Sequence, residues 1–163
     1  MRFVLRDKFF GIGDDLTITD DRGREAYFAD GKLLALGRRV EIKDPATREV
    51  LAVIQQRLIS LLPAFDIHLP GGVKVTIAKR ISLLTDRLKI DVPGPGDLEV
   101  YGDFFHHEYT ISRRGREIAH VSKRWVSLVD SDGVEVDEGE DPLLILASAV
   151  VIDELLDDRR DRD

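Results

Sequence analysis

DPLLILASAVVIDELLDD, residues 141–158, is the one long unbroken apolar run in a chain that otherwise alternates apolar and polar residues. Its opening reads as a helix start. Asp141 can cap the first turn, and Pro142 suits the first helical position, where no backbone N–H is needed. From Leu143 onward, helical spacing puts apolar residues on every side. Leu143, Ala147 and Val150 fall on one face, Leu144, Val151 and Leu155 on a second, and Ile145, Ala149, Ile152 and Leu156 on a third. Only Ser148, and then Asp153 and Glu154, interrupt them. A helix that is apolar all round is enclosed by protein or by lipid. Length decides which. Residues 143–156 reach about 21 Å, whereas a bilayer core needs roughly 30 Å and about 20 residues. Acidic residues flank both ends, and no aromatic residue anchors either. The spacing therefore predicts a buried core helix over about 142–156, with 159–163 a charged tail.

Such a helix needs a container, and the preceding residues supply one. Short hydrophobic–x–Ile units recur at Leu16-Thr17-Ile18, Val40-Glu41-Ile42, Phe65-Asp66-Ile67, Leu88-Lys89-Ile90 and Tyr109-Thr110-Ile111, with Val134-Glu135-Val136 as the last copy. By subtraction the copies lie 24, 25, 23, 21 and 25 residues apart. Turn sequences follow most of them: DDRG, DPATRE, LPGG, VPGPG and RRG. Asp, Pro and Gly are the residues that preset φ or allow it to be positive. A second strand follows each turn, and then a third apolar segment (KLLAL, RLISLL, RISLL, DFFHHE, RWVSLV). Strand, turn, strand, strand is the expected repeat. It predicts a mainly β fold, a closed antiparallel barrel of about twelve strands around the C-terminal helix. Closure removes the exposed edges that a long sheet would otherwise present. Residues 1–158 are expected to form one domain.

Composition excludes several functions. The net charge of −7 argues against a general nucleic-acid binder, which needs a basic surplus to neutralise phosphates. There is no cysteine, so no disulfide framework and no thiolate metal site; this fits a cytoplasmic protein. The N-terminal MRFVLRDKFF is not built like a signal peptide. No transmembrane segment is expected.

The repeated β unit ending in SKRWVSLVDSDGVEVDEGEDPLLILASAVVIDEL resembles the LURP-one-related family, part of the tubby C-terminal-like superfamily, with phospholipid scramblases as relatives. The resemblance runs from Phe9-Phe10 to Leu156. Its most specific parts are Gly102-Asp103-Phe104 with Tyr109-Thr110-Ile111, then Ser122-Lys123-Arg124-Trp125, and the helix ending in Ile152-Asp153. It implies a twelve-stranded barrel around a central helix, and no enzymatic activity. Tubby domains bind phosphoinositide head groups, so a lipid surface is the implied partner. Asp132-Gly133 departs from the pattern, which places an aromatic residue soon after Asp130; strand register there is the feature put in question.

The candidate ligand residues are basic. Lys32, Arg57, Arg80 and Arg124 align across four copies. Unbroken alternation would turn Gln56, Lys79 and Lys123 inward near a barrel mouth and Arg57, Arg80 and Arg124 outward. Arg57, Lys79, Arg80, Lys123 and Arg124 are thus the expected contacts for an anionic head group, since Arg and Lys pair with phosphate. His106-His107-Glu108 on a strand would put His106 and Glu108 on one face and His107 with Tyr109 on the other. That is too few converging ligands for zinc, even with His120 or His68 nearby in space, so no metal or cofactor is expected. Asp130-Ser131-Asp132-Gly133 lacks calcium-loop spacing and reads as a turn. Phe10-Gly11-Ile12-Gly13 lacks a third glycine and a following helix. No G-x-S-x-G is present, no nucleophile–base pattern is visible, and no catalytic residue is assigned. The reading is a non-enzymatic binding domain for anionic phospholipid head groups, peripheral to the membrane. The alternative is a structural or protein-interaction module without a small ligand.

Overall fold

In the computed structural model the chain forms β1 (Arg2–Arg6), β2 (Asp15–Asp20), β3 (Glu25–Leu34), β4 (Gly37–Lys43), β5 (Val50–Gln56), β6 (Ala64–Leu69), β7 (Val73–Ala78), β8 (Arg87–Asp91), β9 (Leu98–Asp103), β10 (Glu108–Arg113), β11 (Arg116–Ser122), β12 (Ser131–Val136) and the helix α1 (Pro142–Arg160). The structure describes residues 1–6, 15–34, 37–78, 87–93, 96–123 and 131–160, with the side chains of 33, 34, 105 and 156–160 left aside.

Every strand pairs antiparallel with its sequence neighbour, and β12 returns to β1, closing a twelve-stranded barrel. Each hydrophobic–x–Ile unit lies on the first strand of a hairpin. Ile18, Ile42, Ile67, Ile90 and Ile111 are all fully buried. Across the ladder they face Tyr27, Ala52, Val75, Leu98 and Ala119. Period-2 alternation thus sends one set of side chains into the barrel from each hairpin. Among the described residues the repeat is two strands long; the third segments RISLL and RWVSLV lie outside them. RLISLL, expected as a strand, is instead part of the loop between β5 and β6. Its base is closed by the Arg57 N–H donating to the Ala64 carbonyl at 2.9 Å.

Turn chemistry matches the sequence. The Asp20 carboxylate accepts from the backbone N–H groups of Arg22 and Arg24, each at 2.9 Å. Asp44 does the same for Ala46 and Thr47. The β10–β11 connection places Arg114 and Gly115 both at positive φ, 53° and 77°. That mirror-image turn follows the twist of the flanking strands.

α1 fills the barrel. It contacts β5 and β6 on one side and β12 on the other, strands that lie on opposite arcs of the closed ring. Ile145, Leu146, Ala147, Val151 and Ile152 are fully buried, and so is Ser148. The Ser148 hydroxyl donates to the Leu144 carbonyl at 2.8 Å, so this core serine leaves no unpaired donor. Asp141 caps the helix, its carboxylate accepting from the Leu143 N–H at 2.9 Å. The helix runs on to Arg160, past the Leu156 end that its apolar run suggested. No helix among the described residues is long and apolar enough to cross a membrane.

The segment read as a turn, Ser131-Asp132-Gly133, is the start of β12. Its register is regular: Arg2 faces Glu135, Val4 faces Gly133 and Leu5 faces Asp132. The departure at Asp132 therefore leaves the strand intact and puts a carboxylate where the barrel wall is buried.

Candidate functional site at the barrel mouth

The strand directions place the ends of β1, β3, β5, β7, β9 and β11 at one rim, together with the starts of the even-numbered strands and the emerging half of α1. Two features meet there: a cluster of charges inside the mouth, and an apolar loop on its edge.

The cluster joins three distant parts of the chain. After β9 a 3-10 turn, Phe104–His106, reverses the backbone. Asp103 caps it, accepting from the His106 N–H at 3.1 Å, while its other oxygen meets His106 Nδ1 at 2.5 Å. His106 is therefore on an exposed turn and not on a strand. His107 follows in the left-handed conformation, φ 54° and ψ 42°, and its N–H donates to the Phe104 carbonyl at 3.1 Å. Gly102 makes this reversal possible. A Cβ there would sit 2.4 Å from the Glu108 carbonyl oxygen and 2.7 Å from the Tyr109 Cα, and its φ is +143°. Only glycine allows β9 and β10 to pass so closely.

His107 then turns inward. Its Nδ1 lies 3.0 Å from Asp132 Oδ2 on β12 and 3.3 Å from Asp153 Oδ1 on α1. The hydrogen bond to Asp132, then that to Asp153, raises the His107 pKa from 6.5 to about 9, against the opposing effect of burial. The imidazole is a cation at neutral pH, held between two carboxylates. Tyr109 packs behind it, its ring 5.6 Å from that of Phe104. Burial first, then the charges of Asp153 and Asp132, pushes the Tyr109 phenol well above its ordinary range. Among the described residues, neither the Tyr109 hydroxyl nor Asp132 Oδ1 has a hydrogen-bond partner, although both are buried. From the opposite arc of the ring, Arg38 on β4 pairs with the neighbouring Glu154. The last buried turns of α1 are thus pinned on two sides.

The apolar loop projects from the same rim. Leu58 leans toward Gly37, where a Cβ would come within 2.9 Å of its Cδ2, and is 56% exposed. Ile59 and Leu61 are wholly exposed. Nothing in the alternating pattern distinguished these residues from core.

Of the five basic candidates, Arg57 and Lys123 lie among the described residues. Arg57 Nε donates to Asp66 Oδ2 at 2.8 Å, and Arg57 Nη2 reaches the Thr76 hydroxyl at 3.3 Å. Burial pushes Asp66 up, but bonds from Arg57 and Thr76 outweigh it and hold its pKa below the ordinary value. Arg57 thus stitches the outer wall across β6 and β7. Lys123 follows β11 directly and is half-buried, after Val121 and Ser122, which are both buried, so strict alternation ends before it. Arg57 and Lys123 share the rim but follow strands on opposite sides of the ring, so they do not form one patch. Lys79, Arg80 and Arg124 lie outside the described residues, as do Trp125 and Phe10-Gly11-Ile12-Gly13. Glu108 accepts from Ser122 Oγ at 2.6 Å and Thr110 Oγ1 meets His120 Nδ1 at 3.1 Å, which ties β10 to β11.

The LURP-one-related family model matches residues 1–153. The chain belongs to the LURP-one-related family. It is also similar to the "Uncharacterized protein YxjI" of Bacillus subtilis (strain 168), 27% identical over 156 residues, which span 96% of this chain and 94% of that protein. No solved structure matches it. The matched LURP-one-related span takes in His107, Asp132 and Asp153, so the cluster belongs to the barrel and not to an appended segment.

Proposed function

We propose that this LURP-one-related barrel is a non-enzymatic module that docks, as a cytoplasmic peripheral protein, on anionic phospholipid surfaces through the rim where α1 emerges. The observation that carries the reading is the loop at Leu58, Ile59 and Leu61, which exposes three large apolar side chains together. A soluble domain that presents such a tip gains by inserting it into an apolar phase, at about 1.5–3 kcal/mol for each fully exposed side chain buried. Lys123 adds charge attraction at the same rim, worth about 1 kcal/mol per basic residue near an anionic surface. Arg57 contributes less, because Asp66 already balances it. Arg80, Lys79 and Arg124 complete the proposed head-group contacts.

The overall charge of −7 favours the competing reading, in which the same loop seats on a protein partner. Co-sedimentation separates the two. Phosphatidylcholine vesicles containing phosphatidylserine or a phosphoinositide should pellet the protein at low salt, and less at high salt. The double variant Ile59→Ser, Leu61→Ser should bind at least tenfold more weakly. Absence of binding by the wild type at low salt, or equal binding by the variant, overturns the lipid reading and leaves the protein-interaction module.

A further inference from the structure

We propose that His107, Asp132 and Asp153 form a binding site for a divalent transition-metal ion, with Tyr109 lining its inner side. Four observations meet here. The first is convergence. One ligand atom from each residue lies within 4.8 Å of the other two. The Nδ1-to-oxygen separations of 3.0 and 3.3 Å approach the edge of a tetrahedron with metal–ligand bonds of about 2.0–2.1 Å. The second is unused coordinating capacity. Asp132 is only 7% exposed, yet its Oδ1 has no hydrogen-bond partner among the described residues. The Tyr109 hydroxyl, in a residue 1% exposed, has none either, and the two carboxylates act on it electrostatically. Buried polar atoms are nearly always satisfied, so two orphans beside one triad mark a place for a further atom.

The third observation is charge. A buried carboxylate, Asp132, and a half-buried one, Asp153, face one imidazole, and a single imidazolium balances only one of them. A divalent ion takes over that role, balances both, and leaves His107 neutral as a ligand. The fourth is access: the side chains of Asp153 and His107 retain 23% and 13% exposure, so the site reaches solvent at the mouth. One imidazole nitrogen and two carboxylates suit zinc, manganese, iron(II) or cobalt(II); calcium and magnesium favour all-oxygen sets. Three protein ligands also leave a position open, as metal sites that bind a further group do. The ion would tie the reversal at His107, the start of β12 and the emerging helix together.

The test is titration calorimetry of zinc and of manganese into chelator-stripped full-length protein. One equivalent of at least one ion should bind, and His107→Asn and Asp132→Asn should each weaken it at least tenfold. Asparagine tolerates the left-handed backbone at position 107 and keeps the shape of Asp132, and circular dichroism verifies that both variants fold. If either variant fails to fold, cobalt(II) added to the wild type supplies a second readout, visible bands with imidazole and carboxylate ligation. No stoichiometric binding by the wild type, or equal binding by folded variants, overturns the site.

Discussion

Replacing His107 by Asn should lower stability by an amount that depends on pH in one direction only. In metal-free protein the imidazole faces Asp132 from β12 and Asp153 from α1, with the Tyr109 phenol behind them. Its pKa rises from 6.5 to about 9 on folding. At about 1.4 kcal/mol per unit that difference corresponds to roughly 3 kcal/mol. Solvent reaches the mouth and screens the charges, so the measurable share is about 1–2 kcal/mol. The group binds its proton more tightly when folded, so this stability is fully present below the unfolded pKa of 6.5 and is lost as pH rises through 9. The assay is urea unfolding of wild type and His107→Asn, with chelator, from about pH 6 to about pH 10. The wild-type advantage should shrink over that range, most steeply between the two pKa values, and level off above about pH 9. An advantage that stays constant, or grows with pH, would refute the ion triad as the source.

Three further outcomes follow from the packing. Gly102→Ala should destabilise the domain by about 2–4 kcal/mol in a thermal or urea melt, because its Cβ would meet backbone at 2.4 and 2.7 Å and φ is positive. Leu146→Asp or Val150→Asp should abolish folding as seen by circular dichroism, since each leaves a charge inside the barrel without a partner. Ile59→Ser with Leu61→Ser should change the melting free energy by less than about 0.5 kcal/mol per site, because both side chains already lie in water.

Those predictions mark how far the sequence reaches. The inward residues of the barrel were legible because each Ile recurs beside a turn whose Asp or Gly has a local, nameable job. The helix was legible because 14 residues without a polar face can only be enclosed. RLISLL misled because composition does not report burial: its apolar residues look like a strand interior, but the Arg57–Ala64 bond closes the hairpin beneath them. The first three residues of β12, Ser131-Asp132-Gly133, were mistaken for a turn because Asp and Gly usually mark one; pairing with β1 and β11 overrides that preference. The charged cluster left two separate traces: the His106-His107-Glu108 run, which alone offers too few converging ligands, and an acid at position 132 where the family resemblance calls for an aromatic residue. His107 and Asp132 are 25 residues apart in the chain and meet only because the barrel closes. Arg57 was visible as basic, but its partner Asp66 could be assigned only once β6 was known to lie beside β5.

α1 is the core of the barrel and not a helix laid against its outside. Native-state amide hydrogen exchange over residues 145–152 tests it most directly. These amides should exchange only through global unfolding, with the same protection free energy as the central amides of β6 and β12. Exchange of the helix well before those strands would mean that it leaves while the sheet persists, and would contradict a barrel built around it.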